Sequence, residues 1–128
     1  DNPPLEPSEK IPLMARMASE MVHESIHAFI NSDVPRARII IQRDDVLDDL
    51  KNQVTRELVE QMKKNGDTIE TAIQLLVVAR NLERIGDHAT NIAEDAIFVA
   101  EGRDVRHGSQ TETVRPGPAQ DFPPAEQP

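Results

Sequence analysis

The sequence predicts an all-α fold, an elongated antiparallel three-helix bundle, and three observations lead to it. Apolar residues recur at three- and four-residue steps along three long stretches, the period of an amphipathic helix. Residues that start or stop helices stand at the ends of those stretches. With three Phe and neither Trp nor Tyr among 128 residues, the core has to be aliphatic. A hydrophobic share of 38% and a charged share of 29% fit one globular unit, since domains run about 100–150 residues.

The first helix is predicted from Ile11 to Asn31, where Met14, Met17, Ala18, Met21, Ser25, Ala28 and Phe29 form one stripe and Pro12 suits the first turn. Asn31, Ser32, Asp33, Val34 and Pro35 then supply N-cap types and a proline compatible with a new first turn. The second helix follows from Pro35 to Asn65, with Ala37, Ile40, Leu47, Val54, Leu58 and Met62 on its stripe and Gly66 as a left-handed C-cap. Asp67, with Glu70 three positions on, is the expected N-cap of a third helix from Thr68 to Glu101, closed by Gly102. Residues 1–8 are expected to be a flexible leading segment and residues 9–107 the helical domain. The proline-rich stretch 108–128 has little periodic apolar content, which predicts a disordered tail.

Composition excludes several classes of function. Twenty-three acids against fourteen bases give a formal charge of -9, which repels a phosphate backbone, so nucleic acid is not expected as a partner. No apolar run reaches the roughly 18 residues of a membrane span. Asp1 to Lys10 is acidic and proline-rich and does not read as a signal peptide. Without cysteine there is neither a disulfide framework nor a thiolate site, so any bound metal should be held mainly by oxygen.

The acids of the third helix stand on an unexpected face. At about 100° per residue, Ala72, Leu75, Leu76, Ala79, Leu82, Gly86, Ala93 and Ile97 share one inward arc. Glu83 and Glu94 fall inside that arc, Asp87 lies on its shoulder one turn past Glu83, and Asn91 follows one turn later. On the second helix Asp44 shares the stripe of Ile40 and Leu47, with Asp48 one turn on. Two carboxylate pairs at i, i+4 therefore face one seam. Like charges at that spacing destabilise a helix, and a desolvated carboxylate without a partner costs several kcal/mol, so a cation should lie between them. A hard divalent or trivalent metal ion meets that need. So would Arg43, Arg80 and Arg84, each within a turn of these acids, in an ordinary seam of ion pairs.

The run Ala79-Arg-Asn-Leu-Glu83-Arg-Ile-Gly-Asp87-His-Ala-Thr-Asn91-Ile-Ala-Glu94 resembles the signature of the phosphate-uptake regulator (PhoU) family, on the last helix of its three-helix repeat. Asp44 with Asp48 resembles the family's paired acids on the preceding helix, and Gly102 to His107 resembles its closing segment. The similarity covers about residues 9 to 107. It implies a cytoplasmic, non-enzymatic adaptor that represses phosphate uptake and phosphate-responsive signalling. It also implies metal held by Glu83, Asp87, Asp44 and Asp48, with Asn91 and Glu94 as neighbours. The candidate ions are iron, manganese, zinc and magnesium. The implied partners are the phosphate-transporter ATPase and the phosphate-sensing histidine kinase. Family members carry two such repeats whereas one signature occurs here, so an exposed apolar strip and a homo-oligomer, a symmetric dimer, are expected.

Other readings carry less. His23-Glu24 resembles the phosphoacceptor pair of a histidine-phosphotransfer bundle, but His23 and His27 point away from the apolar stripe. That orientation also leaves a transition-metal role for the His23 and His27 pair weakly supported. A di-iron oxidase needs Glu-x-x-His, and position 86 is Gly; His88 falls on the outer face. No nucleophile elbow, phosphate-binding glycine loop or zinc-peptidase helix occurs. Arg103, Arg106 and His107 form a basic patch after the predicted last helix, suited to an acidic partner or, the simpler reading, to the negative end of the helix dipole.

Overall fold

The computed structural model describes residues 6–109, as three α-helices and one short 3-10 turn. The first helix, α1, spans Pro7–Asn31 and so begins earlier than its apolar pattern suggests. Glu9 reaches back to accept the Glu6 backbone N–H at 2.9 Å, and Pro7 stands where a missing donor costs nothing. Pro12, expected in the first turn, instead lies inside the helix and withdraws one backbone donor from it. Of the leading segment expected to be flexible, Pro7 and Ser8 are helical, and residues 1–5 lie outside the described part.

Ser32 closes α1 in the left-handed region (φ 52°, ψ 41°), which lets the Asp33 N–H donate to the Ala28 carbonyl at 2.9 Å. Asp33 also starts the second helix, α2, Val34–Lys64, by accepting the Arg36 backbone N–H at 3.2 Å. One residue thus ends one helix and caps the next, which fixes a tight reversal. At the other end of α2 the expected roles of Gly66 and Asp67 are not the ones observed. Among the described residues no glycine has positive φ. Asn65 is the capping residue, its side chain accepting the Asp67 N–H at 2.9 Å over the 3-10 turn Gly66–Thr68. The third helix, α3, is Ile69–Ser109. Gly102 does not end it, because a helical glycine costs only about 1 kcal/mol relative to Ala and Arg103 on the next position donates to the Ser32 hydroxyl. Gly108 and Ser109, assigned to the tail by the sequence, belong to this helix, and residues 110–128 lie outside the described part.

Each helix packs on the other two. Lys10, near the start of α1, pairs with Glu57 near the end of α2 at 2.7 Å, and Arg103 joins α3 to the α1–α2 turn. Thus α1 and α3 run one way and α2 the other. The buried layer takes Met14, Ala18, Met21 and Ala28 from α1, and Ala37, Ile40, Leu47, Val54 and Leu58 from α2. From α3 it takes alanines alone, Ala72, Ala79, Ala89, Ala93 and Ala96, while Leu75, Leu76, Leu82 and Ile97 pack at its edge. Small side chains on α3 let the larger ones of α1 and α2 reach its backbone. Ser25 is fully buried with its hydroxyl donated to the Val22 carbonyl at 2.8 Å, whereas Phe29, placed on the core stripe by its spacing, is 40% exposed. No helix among the described residues is long and apolar enough to cross a membrane.

Candidate functional site

Gly86 sets the geometry of the α2–α3 seam. A Cβ at this position would collide with the Leu47 side chain and lie 3.3 Å from Asp44 Oδ1. Only a residue without a side chain lets α3 approach α2 at the level of Asp44. The glycine therefore brings the acids of both helices to one place.

Asp44 and Asp48 on α2 and Glu83 on α3 are half-buried at this seam, while Asp87 is exposed beside it. Burial, followed by the charges of Asp87, Asp48 and Asp45, pushes the Asp44 carboxyl above the usual carboxylate range. The Thr90 hydroxyl, which also donates to the Gly86 carbonyl at 3.0 Å, offsets part of that rise. Glu83 is likewise raised, first by a hydrogen bond shared with Asp48 and then by burial, with Lys51 acting the other way. Asp44, Asp48, Glu83 and Asp87 thus act on one another as a single negative cluster. Among the described residues, no three of the His, Asp and Glu side chains converge as placed into a metal cage. The donor set still fits a hard cation in kind: four carboxylates, no soft ligand, and two carboxyls raised in part by their neighbours' charge.

Asn91 and Glu94 are exposed. For Glu94 this corrects the inward position read from the wheel. Ala93 fills the buried position, and Glu94, about 100° further round the helix, stands exposed. The arginine alternative also meets a plain observation. Arg43, Arg80 and Arg84 are exposed, and none of them forms an ion pair with a described residue. The cation at the seam is Lys51, whose Nζ lies 3.8 Å from Glu83 Oε1. Sequence reasoning passed over Lys51, Thr90 and Asp45. The helical period could have found the first two, since Lys51 follows Asp48 by three and Thr90 follows Asp87 by three. His23, His27 and His88 are exposed, the orientation their spacing predicts.

The fold and the seam together define a class of protein, an antiparallel three-helix bundle with interacting carboxylates on its second and third helices. Residues 11–96 match the model of the PhoU domain, and the chain belongs to that family. It is 41% identical over 107 residues to the phosphate-specific transport system accessory protein PhoU homolog of Aquifex aeolicus, covering 84% of this chain and 48% of that protein. The Zymomonas mobilis protein of the same name is 40% identical over 99 residues, 77% of this chain and 42% of the relative. The Thermotoga maritima PhoU homolog 2 is 35% identical over 102 residues, 80% of this chain and 43% of the relative. The chain thus spans less than half the length of these curated relatives.

Proposed function

We propose that this chain is a metal-binding, non-enzymatic adaptor of phosphate transport, acting as a negative regulator of phosphate uptake and phosphate-responsive signalling. The observation that carries the reading is the family match over residues 11–96, which contains the whole acidic seam. The relatives' names supply phosphate transport and an accessory role. Glu83, Asp87, Asp44 and Asp48 would hold the ion, with Asn91 and Glu94 as outer neighbours. The positive charge it supplies is what the crowded carboxylates lack. Iron, manganese, zinc and magnesium all suit carboxylate oxygen to different degrees.

The partners in this reading are the phosphate-transporter ATPase and the phosphate-sensing histidine kinase, met on the cytoplasmic side of the membrane. A second copy of the chain is a further partner, since Ile26 and Ile30 on α1 and Ile73, Val77 and Phe98 on α3 all stand exposed. Elemental analysis of protein purified without chelator tests the metal. Co-purification with the transporter ATPase, in the presence and absence of chelator, tests the adaptor role. Absence of metal together with absence of ATPase binding would overturn the reading.

A further inference from the structure

We propose that Lys51 is a built-in competitor for the acidic seam: its ammonium holds Glu83 in the metal-free protein and has to leave before a metal ion takes that carboxylate. The inference rests on the metal-binding reading given above and adds a determinant of affinity on the chain itself. Lys51 Nζ lies 3.8 Å from Glu83 Oε1, and the two side chains are 28% and 22% exposed. That burial screens the pair less than a pair on the open surface. Lys51 stands one turn beyond Asp48 and two turns beyond Asp44 on α2, so its stem runs along the same seam as the acids. It lowers the Glu83 pKa against the combined push of Asp48, burial and Asp87.

Among the described residues no other cation is placed to do this. Arg43, Arg80 and Arg84 are exposed and pair with none of the described acids. An ammonium on a flexible four-carbon stem can retreat to water, and a single charge is the weaker neutraliser beside a divalent ion. Lys51 therefore keeps the metal-free seam together and weakens metal binding by the free energy of the contact that has to break.

The test uses the whole 128-residue chain, with manganese(II) as probe and affinity measured by calorimetry at fixed ionic strength. Lys51→Met should bind manganese about three- to fivefold more tightly than wild type, the size of one partly screened ion pair. Lys51→Arg keeps the charge and should stay near the wild-type affinity. Circular dichroism checks that each variant is folded, and Lys51→Gln, which keeps a polar stem, should repeat the gain seen with Met. Wild-type binding that is unchanged or weaker in both Lys51→Met and Lys51→Gln overturns the competition and leaves the metal reading standing. No manganese uptake by wild type or any variant overturns both.

Discussion

Gly86 of α3 stands against Leu47 of α2 so closely that a single added carbon would collide with the leucine, which is itself fully buried. In an open helix, exchanging glycine for alanine stabilises by up to about 1 kcal/mol. Here overpacking costs about 1–3 kcal/mol and should outweigh that gain. Gly86→Ala is thus expected to lower the denaturation midpoint, while Gly102→Ala, where an added carbon meets nothing within 4 Å, should raise it. Chemical denaturation of both variants checks the pair. Stabilisation by both changes would mean that the helices are not in tight contact at the seam.

Replacing Glu83 and Asp87 with Ala should reduce metal content sharply and leave the bundle folded. Without metal, stability should change little or rise, because mutual repulsion is relieved by a few tenths of a kcal/mol per pair, partly offset by loss of the Lys51 contact. With metal, the variant should forfeit roughly 2.7 kcal/mol of linkage when the free ion is a hundredfold above its dissociation constant. Thermal melts with chelator and with manganese, iron or zinc distinguish these states. An equal loss in both conditions, with metal content unchanged, would remove the site assignment.

The metal-free protein should gain stability from this seam as the solution is acidified. Asp44 and Glu83 are both raised above their ordinary values of 3.8 and 4.5. Between those values and the raised ones the folded chain holds more protons than the unfolded chain, so their contribution is fully present below the ordinary values and is lost as pH rises through the raised ones. Asp33, lowered by its hydrogen bonds from Arg36, works oppositely, and its contribution is lost as pH falls. Asp44→Asn with Glu83→Gln should flatten the first component and leave the second. Urea titrations at a series of pH values in chelator measure the slope, and an unaltered slope in the double variant would rule the seam out as its source.

Lys10 is 8% exposed, donating to Glu57 at 2.7 Å and to Gln53 at 3.2 Å, while the other oxygen of Glu57 is buried without a hydrogen-bond partner. Lys10→Met should cost about 1–3 kcal/mol by orphaning that carboxylate, toward the lower end because the Glu57 side chain is 41% exposed. Adding Glu57→Met should restore most of the loss, since a matched apolar pair has no charge to desolvate. A double-mutant cycle in urea measures the coupling, and simple additivity would show that the contact contributes nothing.

A symmetric dimer is the expected state of the isolated chain, given the exposed Ile26, Ile30, Ile73, Val77 and Phe98. Ile73→Lys and Ile30→Lys, tested singly by sedimentation with metal present, should weaken association at whichever face carries it. A monomeric wild type at high micromolar concentration would dispose of the dimer.

Much of the fold was legible in the sequence because it is local. The stripes of Met14, Met21 and Ala28, of Ile40, Leu47 and Leu58, and of Ala72, Ala79 and Ala93 follow from one helical period, and all of these residues are buried. The same period puts Asp44, Asp48 and Glu83 on the stripes and Asp87 on the shoulder; the first three are half-buried and Asp87 is exposed. Helix ends were less legible, because caps depend on hydrogen bonds that several residues could make. Asn65 took the cap assigned to Asp67, and a bond from Arg103 to Ser32 stands beyond the glycine that was expected to stop α3.

Burial at the edges of the stripes belonged to the tertiary structure alone. A wheel gives each side chain an angle but not the width of the neighbouring helix, so Phe29 and Glu94 read as inward and stand exposed. The identity of the seam's cation was decided in the same way. Arg43, Arg80, Arg84 and Lys51 all stand within a turn of an acid in sequence, but among the described residues it is Lys51 that reaches Glu83 in space. The close approach at Gly86 fixes which faces of α2 and α3 meet, and that contact determines which charges interact.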